Sequence, residues 1–227
     1  MTLTLTVEKA DLTLESAFAQ PEFGLFKDTP RLLQHLFSRL QPQGIRLQDM
    51  KIERGGGSVG EFHLNCTLYS FQVGVRVHMD KIGVVWLNVT QEQMGPFSAL
   101  AVEALSAVRD HQPEIAFRTH TMGVVLHGRL EGTSAKDYLA RFLKDAPTGL
   151  GPQTGNGTVM YFGPADDRIL SSVTLDLSAL LPDGLFVRPH VVWDARKVEI
   201  AALPSRAAAF VRQVLGSFDL EIEALRI

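Results

Sequence analysis

The sequence predicts an α+β fold: a curved antiparallel sheet with helices packed on one of its faces. Three observations lead there. Runs of strand-like alternation follow one another directly, the strongest helical patterns come after those runs rather than between single strands, and the gaps hold Gly, Asp and Asn turns. A doubly wound nucleotide fold, in which strand and helix alternate, is not expected.

The elements can be justified in order. The N-terminus, Met1 to Glu8, alternates Leu, Leu and Val with Thr and reads as a strand; it lacks the basic and apolar regions of a secretion signal. Asp28-Thr29-Pro30 opens a helix, with Thr29 as its cap and Pro30 at its first position; Leu32, Leu33, Leu36, Phe37 and Leu40 give it one apolar face. Four strands are expected at Ile45–Glu53, Gly60–Tyr69, Phe71–Met79 and Gly83–Thr90. A long helix, Gln93 to Asp110, then buries Phe97, Leu100, Ala104, Leu105 and Val108. A strand from Glu114 to Leu130 bends at Gly123, and Thr133-Ser134 caps a short helix carrying Tyr138, Leu139, Phe142 and Leu143. Strands follow at Thr158–Phe162, Ile169–Leu177, Leu185–Trp193 and Val198–Ala202, then a helix at Pro204–Leu215 and a last strand at Asp219–Arg226.

Register in the middle strands follows from alternation, since a slip of one residue exchanges the two faces. Phe62, Leu64, Cys66 and Leu68 share a face with Phe71, Val73, Val75, Val77 and Met79. A tight turn at Tyr69-Ser70 sets Leu64 opposite Val75, and an Asp80–Gly83 turn with a glycine bulge puts Val85, Leu87 and Val89 inward. The opposite face then displays His63, Asn65, Arg76, His78, Trp86 and Asn88.

Four strands, a helix and a strand recur in the second part of the chain. Val75-Arg76-Val77-His78 also resembles Val187-Arg188-Pro189-His190, so two related βββ(β)αβ halves are expected. Residues 1–145 form the first half, the Gly- and Pro-rich stretch 146–157 a linker, and 158–227 the second half.

The 227 residues are 45% hydrophobic and 21% charged, ample for a core, with 22 Lys and Arg against 25 Asp and Glu. A single cysteine, Cys66, precludes an internal disulfide, and no apolar run reaches membrane-spanning length, so a cytoplasmic location is expected. With scattered Arg and a formal charge of −3, nucleic acid is not an expected partner.

Each chemical motif has a plainer explanation. Gly56-Gly57-Ser58-Val59-Gly60 matches a serine-hydrolase string but leads into a strand where that chemistry needs a helix. The glycines from 149 to 157 lack the Lys-Ser/Thr ending of a phosphate loop. The seven histidines include no pair at metal-ligand spacing, and Cys66 sits on the apolar alternation. No catalytic residue, metal or cofactor is assigned.

What remains is the exposed sheet face: Trp86, Arg76, His63, His78 and Asn88, with Arg188 and His190 from the second half. Trp and Arg combine contact area with directed hydrogen bonds. The expected function is a non-enzymatic cytoplasmic protein that binds another protein, or a second copy of itself as a homodimer, through that face. The alternative is a small-molecule carrier or enzyme with an apolar cavity between the sheet and the two long helices, lined by Val75, Val77, Leu87 and Phe97, with His120 or Tyr138 as its polar group.

Overall fold

A computed structural model describes residues 2–54, 62–69, 72–90, 95–142 and 157–222. The predicted fold class holds: among these residues ten strands form a single sheet, antiparallel except at one pair, with four α-helices packed against it. Thr29–Leu40 is α1, Gly95–His111 α2, Ala135–Ala140 α3 and Leu203–Ser217 α4. The strands are β1 (Leu3–Phe18), β2 (Met50–Arg54), β3 (Phe62–Leu68), β4 (Val73–His78), β5 (Lys81–Val89), β6 (Phe117–Leu130), β7 (Thr158–Phe162), β8 (Arg168–Leu177), β9 (Leu185–Asp194) and β10 (Leu220–Glu221). Their order is β2-β3-β4-β5-β1-β6-β9-β8-β7, with β10 beside β1 in the one parallel pair.

The N-terminal strand runs ten residues past its expected end at Glu8 and lies in the middle of the sheet. The reason for the missed length is local. Register shifts on both of its edges, between Val7 and Lys9 against β6 and between Ala10 and Leu12 against β5, interrupt the alternation near Asp11. Beyond them Leu12, Leu14, Ser16 and Phe18 turn inward again.

The β5 face was expected one residue out of phase. The hairpin from β4 turns on Met79 and Asp80, with Val77 opposite Ile82, so Ile82, Val84 and Trp86 face inward. Trp86 lies opposite Val73 and Leu12, only 5% exposed, and its ring stacks on Tyr69 at 5.3 Å. Burial of the roughly 200 Å2 of an indole, at about 25 cal/mol per Å2, is worth about 5 kcal/mol before entropy. That exceeds the ~1–3 kcal/mol cost of leaving Nε1 without a partner among the described residues. Leu87, expected inside, is 45% exposed. A bulge restores the phase: Asn88 takes φ 54°, its N–H donates to Asp11 Oδ1 at 2.8 Å, and Val89 returns to the core.

Other corrections are smaller. Leu64 pairs with Val77 and Cys66 with Val75, a two-residue shift that keeps Leu64, Cys66, Leu68, Val73, Val75 and Val77 on their expected face; Phe71 lies outside the described residues. Asp28, not Thr29, caps α1 by accepting from the Arg31 N–H. Val198–Ala202 is not a strand: Ile200–Ala202 is a 3-10 turn running straight into α4. The Gly56–Gly60 string and the stretch 146–156 of the expected linker lie outside the described residues.

Inward residues of all the long strands join the buried faces of the helices in one cluster that includes Leu12, Val75, Trp86, Phe97, Val124, Val187 and Phe210. The cavity expected beside Phe97 is filled; about 20 Å3 remains there. The other sheet face carries Thr13, Gly74, Val85, Thr121, Ser172 and Val192, all half-buried, as expected where one side meets water.

A Cβ on Gly128 would stand 2.6 Å from the Thr6 carbonyl across the β1–β6 ladder, whereas one on Gly74 would meet nothing within 4 Å. We expect Gly128→Ala to lower stability by ~1–3 kcal/mol and Gly74→Ala to change it by under about 0.5 kcal/mol in urea denaturation. Equal shifts would contradict the close β1–β6 approach.

Candidate functional site

The expected binding residues separate into two groups. Arg76, His63 and His78 stand together on the uncovered face of β3 and β4. His63 lies opposite His78, their rings stacked at 4.9 Å, while Asn65, not His63, lies opposite Arg76. Arg188 and His190 occupy the same face on β9, with Thr174 opposite Arg188 and Ser172 opposite His190. Trp86 is not with them; it is on the helix side. Asn88 is exposed but held in the bulge by Asp11. The two resembling words thus fall on β4 and β9, of which β9 adjoins central strand β6 and β4 does not adjoin β1.

Part of the charge on this face is paired. Lys81 pairs with Glu15 at 2.9 Å and Arg129 with Glu8 at 2.6 Å. Arg76 and Arg188 are both exposed and form no ion pair among the described residues. Four strand spacings of ~4.8 Å separate β4 from β9, so the two strands that carry these arginines lie about 19 Å apart. Between them Gly74, Val85, Thr13, Gly123 and His190 lie in one row of paired residues, a lane of small or polar groups interrupted by one aliphatic side chain. Burial, then neighbouring His63, lowers the His78 pKa; burial, then Arg188, lowers that of His190. Both imidazoles are therefore neutral at pH 7, and the guanidiniums carry the positive charge.

On the helix side, His120 from β6 and Ser16 from β1 are both buried, with Ser16 Oγ 2.7 Å from His120 Nδ1. Burial pushes the His120 pKa down to about 4, against an opposing hydrogen bond with the Val198 backbone. Ser16 is fully covered, so the pair cross-links strands rather than presenting a nucleophile. The other group expected to serve a cavity, Tyr138, donates to the Phe218 carbonyl at 2.7 Å. Cys66 is buried, which raises its thiol pKa to about 12 and keeps it unreactive. Among the described residues no three His, Cys, Asp or Glu side chains are placed to hold a metal ion.

Sequence reasoning missed a slot of about 280 Å3 between β8 and α4, lined by Phe162, Arg168, Phe210, Gln213 and Phe218 among others. Its residues come from a hairpin and a helix about 45 positions apart, and no local pattern joins them.

No family model and no curated protein matches the chain. Among solved structures it is similar to a rolling circle replication initiator protein from Geobacillus stearothermophilus, at 13% identity and a TM-score of 0.38, over 92% of this chain and 84% of that one. A likeness that distant assigns neither fold nor role. What corrects the expected non-enzymatic protein-binding module is this chain's own structure. The buried Trp86 removes the residue on which the first expectation rested, and the filled core removes the cavity of its alternative. Both expectations are withdrawn.

A folded-state pKa near 4 against 6.5 for a free imidazole means that the unfolded chain binds the His120 proton more readily. Its contribution is therefore present above pH 6.5 and lost as pH falls toward 4. We expect stability to drop by on the order of 3 kcal/mol across that window through this group. His120→Gln should cost stability at pH 7 and flatten the acid limb; an unchanged acid limb in urea titrations would contradict the assignment.

Proposed function

We propose that this protein binds single-stranded nucleic acid across the uncovered face of its sheet. The observation that carries the reading is the pair Arg76 and Arg188, exposed guanidiniums of that face without a carboxylate partner among the described residues, set at the two sides of the row from Gly74 to His190. A single strand can lie along an open sheet, its phosphates on Arg and its bases against flat side chains. The His63–His78 stack and half-buried Phe186 supply such surfaces beside the two arginines. Because Glu15 and Glu8 are already neutralised by Lys81 and Arg129, an overall charge of −3 does not exclude local attraction.

On this reading the binding residues are Arg76, His63, His78, Arg188 and His190. The protein works in the cytoplasm, where buried Cys66 stays a thiol. Its two runs of strands and helices are two related halves contributing one arginine each.

Two phosphate contacts imply a shallow salt dependence, with log K falling against log salt at a slope of about −1.4. Anisotropy of a fluorescein-labelled oligothymidylate should report that slope. Arg76→Gln and Arg188→Gln should each weaken binding and remove about 0.7 from it. Absence of binding at low salt, or variants indistinguishable from the parent, would overturn the reading.

A further inference from the structure

The slot beside α4 is built unlike the open face. Its walls are phenyl rings: Phe162 from the end of β7, Phe210 from α4 and Phe218 just beyond it. Phe218 is held from behind by Phe142, ring centres 5.6 Å apart. At the mouth stands Arg168, whose backbone N–H and carbonyl both bond to Ala165, at 2.8 and 3.1 Å, so its starting direction is fixed. Its guanidinium lies 5.8 Å from the centre of the Phe210 ring, and Nη1 donates to Gln213 Oε1 at 3.3 Å.

That last bond orients the carboxamide. With Oε1 occupied by Arg168, the Gln213 NH2 is left as a donor, so guanidinium and amide offer N–H groups side by side. Arg168 has no ion pair among the described residues. The site therefore has donors and one positive charge at its mouth, with an apolar body behind. Its volume lies near the lower end of the ~300–1,000 Å3 range of ligand pockets.

We propose that this slot binds a small aromatic carboxylic acid, with the ring system among Phe162, Phe210 and Phe218 and the carboxylate on Arg168 and Gln213. The planar fork of Arg matches a carboxylate bidentately, and one cation suits a monoanion better than a phosphate. The slot opens on the helix side, through residues that the nucleic-acid reading does not use, so either can fail without the other.

1-Naphthoate is the probe. Isothermal titration should give saturable one-to-one binding, and its neutral isostere 1-naphthamide should bind at least tenfold more weakly. Arg168→Met should weaken naphthoate at least tenfold and abolish the preference for the acid, with an unchanged melting curve as the check on folding. Ser217→Phe, on an exposed position of α4 that lines the slot, should block both compounds. Should Arg168→Met fail to fold, the acid-against-amide comparison in the unmodified protein decides alone. No saturable heat with naphthoate, equal affinity for acid and amide, or undiminished naphthoate binding in a folded Arg168→Met protein would each overturn the proposal.

Discussion

The structure hangs on the seam where β1 is paired along both edges, to β5 on one side and β6 on the other. Sixteen residues long, this strand carries the ladders that join the β2–β5 group to the β6–β9 group, and its first residues also hold β10. Its pleat fixes the pleat of its neighbours. With Leu12 and Leu14 turned toward the helices, their partners Trp86, Val84, Val124 and Met122 must turn the same way. The bulge at Leu87–Asn88, answered by the Asp11 carboxylate, lets β5 continue past Trp86 without exposing Val89.

Much of this was legible in the residues. The apolar faces of α1 and α2, the alternation of β3, β4 and β9, and the buried thiol of Cys66 are where the pattern puts them, because each depends on local periodicity that tertiary packing reinforced. What failed were phases set by turns and bulges. Whether the turn between β4 and β5 holds an even or an odd number of residues decides whether Trp86 or Leu87 is buried, and the apolar run Ile82 to Val89 tolerates either phase. The second half of β1 was hidden for a related reason, a register break beside Asp11. Val198 and Ile200 are both buried, so an apolar period of two was present, yet Pro204 at the start of α4 belongs to a helical turn.

The two faces that result have different chemistry. Toward the helices, polar groups are few and mostly satisfied: Ser16 on His120, Tyr138 on a backbone carbonyl. Toward water, Lys81 and Arg129 are neutralised by Glu15 and Glu8, and Arg76 and Arg188 are exposed guanidiniums without an ion pair among the described residues. The sheet edge at β7–β8 adds a third environment, where α4 stops short of filling the space and phenyl rings meet a single cation. Locating each of these environments requires the face of every strand, since alternation alone sets Arg76 and Trp86 on one side and the structure sets them on opposite sides.

Acrylamide quenching of the intrinsic fluorescence tests that face assignment most directly. Both tryptophans, Trp86 and Trp193, are buried, at 5% and 2% exposure, so the emission should be blue-shifted and almost wholly protected from the quencher. A red-shifted component that acrylamide reaches freely in the native protein would put Trp86 on the open face, and the seam, the register and the binding surface derived from them would be wrong.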